Sequence, residues 1–134
     1  MKLQEKGKII PPPVLSTYSE IVSKEIQSWQ QIISATHWEI WDNNKPNGAD
    51  FYVGEFELGH IHLDDMLHLA STKELSEALI KAGLAKKFPY GANWIQFKIS
   101  DEKSARHAIW LFKLHYDKLL GADSAQLLRV ISEK

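Results

Sequence analysis

The stretch from Phe51 to Ala70, FYVGEFELGHIHLDDMLHLA, constrains the fold more than any other part of the chain. Apolar and polar residues exchange there almost one for one. Gly54, Gly59 and the pair Asp64-Asp65 punctuate the pattern. A hydrophobic period of two marks strands with one face buried. Phe51 to Val53 begins a β core, Glu55 to Leu63 continues it, Asp64 and Asp65 make a tight turn, and Met66 to Ala70 returns antiparallel. Phe56 and Leu58 share one parity, Ile61 and Leu63 the other. A bulge at Gly59 reconciles the two halves. It places all four apolar side chains on the core side and gathers Glu55, Glu57, His60 and His62 on the opposite face.

Elsewhere the period is helical. Thr17 and Glu20 suggest a capping box, and Val22, Ile26, Trp29 and Ile33 then give one apolar stripe on a helix over 17–35. Trp38, Ile40 and Trp41 read as a strand, and Asp42 to Asp50 (DNNKPNGAD) as a loop. A second helix over 72–82, capped by Ser71, carries Leu75, Leu79 and Ala82 and ends at Gly83. After a loop from Lys86 to Ala92, the segment Asn93 to Ile99 alternates. Ile95, Phe97 and Ile99 point in, and Trp94, Gln96 and Lys98 point out. Ser100 caps a third helix with Ala105, Ile109, Phe112, Tyr116 and Leu119 on its buried stripe. Gly121 stops it, and Asp123 starts a short last helix with Leu127, Leu128 and Ile131. Residues 1–15, with Pro11, Pro12 and Pro13, read as an extended Pro-rich leader, and 16–134 as a single domain. The order helix, strands, helix, strand, helix, helix indicates an α+β fold. It has an antiparallel sheet of about four to five strands, with helices packed on one face.

Composition removes several function classes. A chain of 134 residues fits one domain. It has no cysteine, so thiolate metal sites and Cys nucleophiles are excluded. There is no P-loop, dinucleotide glycine motif, HExxH or nucleophile elbow. With no signal-type or membrane-spanning apolar run, the expected location is the cytoplasm. A net charge of -1 argues against nucleic acid as a partner. A local basic face of Lys86, Lys87, Lys98, Arg106 and Lys113, with Trp94 for stacking, is the one feature that could bind it weakly. Trp29, Trp38, Trp41 and Trp110 are expected in the core. His107 and His115 are expected on the surface or core edge of the third helix, and His37 carries no signal.

The unusual chemistry is in Glu55-Phe-Glu-Leu-Gly-His-Ile-His62, followed by Asp64, Asp65 and His68. Pro46 to Thr72 holds five acidic residues and no Lys or Arg, so the histidines keep acidic company. His60 and His62, two apart on a strand, point to one side with Cβ atoms about 7 Å apart. That spacing offers two imidazoles to one divalent metal, and Glu57 or His68 could complete three ligands with an open position for water. Without metal, a histidine beside a carboxylate acts as acid or base near neutral pH. The plainer reading is that these residues are the polar half of an alternating strand.

Residues of about 38–119 resemble the bacterial luciferase-domain family. The matching elements are Phe56 to His62 (FELGHIH), Leu75 to Gly83 (LSEALIKAG), Asn93 to Phe97 (NWIQF) and Leu111 to Tyr116 (LFKLHY). The family has no assigned activity, and the resemblance transfers no light-emitting chemistry. The chain has neither an adenylation motif nor the length of a flavin barrel. Family members tend to carry a further His in the loop after the AG element. Here that loop, Leu84 to Tyr90, has none; if that His belongs to a site, the resemblance implies that the site here is altered or inactive. The element order is more loosely similar to YjbR-like domains with a frataxin-type sandwich. The leading expectation is a binding or interaction module, with a protein partner or a second copy of the chain. The alternative is an enzyme, hydrolytic or proton-transferring, with His60, His62 and Glu57 as its catalytic residues. Its metal ligands would come from His60, His62, Glu57 and His68. Weak nucleic-acid binding is the third.

Overall fold

The computed structural model describes residues 2–42 and 44–134. Its elements in chain order are α1 (Thr17–Gln27), β1 (Ile32–Trp38), β2 (Pro46–Val53), β3 (Phe56–Ile61), β4 (Met66–Leu69), α2 (Lys73–Lys81), β5 (Lys86–Lys87), β6 (Ile95–Lys98), α3 (Glu102–Leu119) and α4 (Ser124–Ser132). The six strands form one antiparallel sheet in the order β1-β2-β3-β4-β6-β5. The α+β expectation holds, with one strand more than the upper count.

Alternation on the strands builds two unlike faces. Ala49, Phe51 and Val53 of β2, Leu58 and Ile61 of β3, Leu67 and Leu69 of β4 and Ile95 of β6 are buried in one core with Val22 and Ile26 of α1, Leu75 and Leu79 of α2, and Ala108, Leu111 and Phe112 of α3. Phe51 and Phe112 meet edge to face at 5.5 Å. The opposite face carries Ala35, Asp50, Tyr52, His60, His68 and Gln96. A small second core of Leu3, Ala35 and Tyr52 forms there.

Several sequence boundaries move. The helix expected over 17–35 stops at Gln27, and Ile32 to Trp38 is the edge strand β1. The chain reverses through Gln31, whose φ of 67° lies in the left-handed region. Trp29 and Ile33 happen to continue the helical spacing, but the run Ile32-Ile33-Ser-Ala-Thr36 is β-branched and alternates. Glu20 does not close a box with Thr17. Ser16 is the cap position, and the Glu20 carboxylate accepts from the Leu15 N–H at 2.9 Å. The loop expected over 42–50 is half strand, because Pro46 tolerates the first strand position. Gly48, at φ 121°, lets the β2 backbone approach Ile61 of β3 where a Cβ would collide. The strand expected at Trp38, Ile40 and Trp41 ends at Trp38. Trp41 is 90% exposed rather than core. Thr72, not Ser71, caps α2 by accepting from the Leu75 N–H. Asp101, not Ser100, caps α3 in a reciprocal box with Ser104. Ala82 and Leu119 are exposed, and His115 is buried. Lys86 and Lys87, expected in a loop, pair with β6 as a two-residue edge.

The bulge expected at Gly59 falls beside it. Phe51 pairs with Gly59 and Tyr52 with Glu57, so Leu58 is the extra residue. The consequence for the site is the one expected for Glu57 and His60, which share a face, but not for Glu55. The consequence for the core is only half so: Leu58 and Ile61 are buried, while Phe56 and Leu63 are 69% and 48% exposed.

Candidate metal centre

Antiparallel register sets a polar row across the open face. Asp50 of β2 lies opposite His60 of β3, His60 opposite His68 of β4, and His68 opposite Gln96 of β6. His37, at the irregular end of β1, and His62, just past β3, close over this row. The His37 and His60 rings stack at 4.0 Å and 14°. His62 stands edge-on to both at 4.8 Å. His68 lies 5.2 Å from His60 and 4.8 Å from His62. Trp94 and Phe88, from the loop before β6, wall the far side against His60 and His68.

The imidazoles are oriented from behind. His37 Nδ1–H donates to Asp50 Oδ1 at 2.7 Å, and His60 Nδ1–H donates to Glu57 Oε2 at 2.8 Å. In neutral His60 this leaves Nε2 as the acceptor, and His68 Nδ1 lies 3.2 Å from it. The Asn47 side-chain amide is 3.0 Å from His62 Nδ1. Carboxylates that hold Nδ1–H and turn Nε2 outward are the usual second layer of an imidazole metal site. Asp50 is fully buried, and its Oδ2 has no hydrogen-bond partner among the described residues. Lys6, from the segment before α1, brings one positive charge to the two carboxylates. Its Nζ is 2.7 Å from Glu57 Oε1 and 3.7 Å from Asp50 Oδ1.

Burial favours the neutral form of His60, His62 and His68. It pushes His60 well below the ordinary imidazole range, reinforced by His37 and His62 nearby. Burial first, then His37 and His68, brings His62 down to about 4. Burial also lowers His68, against a hydrogen bond to the Gln96 side chain. Burial, then Glu57 and Asp50, raises the Tyr52 phenol.

Two groups of potential ligand atoms lie within 4.8 Å of one another among the described residues: His37, His60 and His62, and Asp50, Glu57 and His60. The four residues picked out in the sequence, Glu57, His60, His62 and His68, therefore share one cluster, but in different positions. Glu57 backs His60, and His68 is hydrogen-bonded to it. Glu55, expected on this face, is turned away to an exposed pair with Lys2 at 3.8 Å. Sequence reasoning missed His37, Asp50 and Lys6. The alternation that carries Asp50 into the sheet with Tyr52 was hidden under the turn formers of 42–50. Lys6 had no local signal. The basic residues proposed as a face are divided between the β5–β6 edge and α3. Arg106 pairs with Glu102 at 2.8 Å, and Lys113 with Asp117 at 2.6 Å.

A family model described as Luciferase domain matches residues 55–115. The resemblance to that family therefore holds over a little under half of the chain, from the start of β3 through most of α3. His60, His62, His68 and Glu57 lie inside the matched stretch; Lys6, His37 and Asp50 precede it. No curated protein and no solved structure matches the chain. Among the described residues no helix is long and apolar enough to cross a membrane.

Proposed function

We propose that this domain binds a divalent metal ion through His37, His60 and His62 and uses it for hydrolytic chemistry. The observation that carries this reading is the grouping of three imidazoles with ligand atoms within 4.8 Å, two of them held by buried carboxylates. A tetrahedral zinc ion with Zn–N of about 2.0–2.1 Å wants its ligand nitrogens roughly 3.4 Å apart. Closing that gap requires the His60 ring to give up its 3.2 Å contact with His68. Three imidazole nitrogen donors suit zinc and leave one position for water. When bound, such an ion lowers the pKa of that water and supplies a nucleophile near neutral pH. Asp50 and Glu57 fix the tautomers, and Trp94 and Phe88 restrict water on one side. A binding module, the plainer expectation, is compatible with this reading to the extent that the ligand is the metal.

A second reading has its own support. The chain Glu57–His60–His68, at 2.8 and 3.2 Å, is a proton relay that needs no metal. One experiment separates the two. Tag-free protein is stripped with chelator, then assayed against a panel of ester and phosphoester substrates before and after zinc is restored. Activity that returns only with zinc and is absent in His37→Ala supports the metal reading. Activity that survives stripping and disappears in His68→Ala selects the relay. No zinc retention in either protein rejects the metal reading.

A further inference from the structure

We infer that Lys6 is a tethered cation that takes a second metal position, so that the centre holds one ion instead of two. The inference rests on the metal reading above, and its test is arranged to separate the two.

The second ligand group, Asp50, Glu57 and His60, is a metal-type donor set in its own right, with its ligand atoms within 4.8 Å. Its carboxylates are deeply buried, with side chains 0% and 6% exposed. Two carboxylates out of water need positive charge or protons. Lys6 supplies positive charge, with Nζ in contact with Glu57 Oε1 and within 4 Å of Asp50 Oδ1, its own side chain 15% exposed. On Glu57 it takes Oε1, the oxygen that His60 leaves free, while on Asp50 it lies nearest Oδ1, the oxygen that also accepts from His37. Asp50 Oδ2, buried and without a hydrogen-bond partner among the described residues, shows that this set has ligating capacity that the ammonium does not use.

The placement of Lys6 is built, not incidental. The 3-10 turn Leu3–Glu5 buries Leu3 against Ala35 and Tyr52, and the Lys6 Nζ lies 5.7 Å from the Tyr52 ring centre. Gly7, at φ 111°, then turns the chain outward. Beyond it the segment is tied to β1: Trp38 Nε1–H donates to Lys8 C=O at 2.9 Å, Thr36 N–H to Ile10 C=O at 2.9 Å, and Thr36 Oγ1–H to Pro11 C=O at 2.7 Å. Anchors on both sides of Lys6 hold its ammonium in the carboxylate pair.

The test is zinc stoichiometry on tag-free full-length protein, by equilibrium dialysis and metal analysis at one pH. The wild type is expected to hold one zinc per chain and Lys6→Ala two. Lys6→Arg, which keeps the charge, should return to one. Adding Asp50→Asn to Lys6→Ala should also return it to one, and this double variant guards against a trivial effect of loosening the segment. Circular dichroism checks that each variant is folded. With one zinc on the wild type, one zinc or none in folded Lys6→Ala overturns the inference, a proton having taken the place of the ammonium instead. A wild type that holds no zinc rejects the three-histidine reading alone, and a single ion gained by Lys6→Ala would then still support the inference about Lys6.

Discussion

His60 organises the centre: Glu57 holds its Nδ1, and its Nε2, which faces His68 Nδ1 at 3.2 Å, must leave that contact to take the metal. His37 depends in the same way on Asp50. Replacing Asp50 by Asn keeps the volume but removes the charge that fixes His37 and answers Lys6. Zinc affinity should fall by about 10–100-fold with the fold retained; calorimetric titration checks this. His115 gives a pH prediction away from the metal ligands. It is fully enclosed, with Nδ1–H donated to Leu111 C=O at 2.7 Å and Ser71 Oγ–H donated to Nε2 at 2.8 Å. Burial holds it down to about 4. Its folded pKa lies below the ordinary 6.5, so the unfolded chain takes up the proton first as the pH falls. The stability from this residue is therefore complete above pH 6.5 and declines between 6.5 and about 4, by about 3 kcal/mol in all. Urea unfolding of His115→Gln should show a flatter pH profile than wild type over that window. An equal slope would contradict the assignment.

At the scale of elements, the hairpin β2–β3 carries the design. The extra residue Leu58 puts Glu57 and His60 on one face while Leu58 and Ile61 enter the core. Gly59 lets β3 and β4 close up. A Cβ there would lie 2.5 Å from the His68 backbone oxygen and 2.8 Å from Leu69 Cδ2. Gly59→Ala should cost roughly 1–3 kcal/mol in chemical denaturation and push His60 from His68. This part of the centre was legible in the sequence, because alternation, a glycine and a parity change are local signals. Helix ends were legible where a glycine in left-handed conformation stops the chain, as at Gly83 and Gly121. The β1 strand was not, because Trp29 and Ile33 sit at a helical interval from Ile26 by coincidence. The start of β2 was not either, because Asn47 and Gly48 serve a close strand approach that mimics a turn in composition.

For the whole molecule, the site draws on the N-terminal segment, β1, β2, β3 and β4, with residues from position 6 to 68. Local pattern reading found the four on one hairpin and missed the three brought in by strand order. The edge strand β1 supplies His37, and the segment before α1 supplies Lys6. Long-range register has no signature in a single sequence. A centre that ties these pieces together should stabilise the fold when filled. Zinc at a hundredfold excess over its Kd should add about 2.7 kcal/mol, seen as a higher thermal midpoint that His60→Ala/His62→Ala abolishes. The most direct test of the three-histidine centre is X-ray absorption at the zinc edge on tag-free protein loaded with one equivalent. The account predicts four nitrogen or oxygen neighbours at about 2.0–2.1 Å with the outer-shell signature of three imidazoles, reduced in His37→Ala. A shell of oxygen ligands with one imidazole or none, unchanged in that variant, would contradict it.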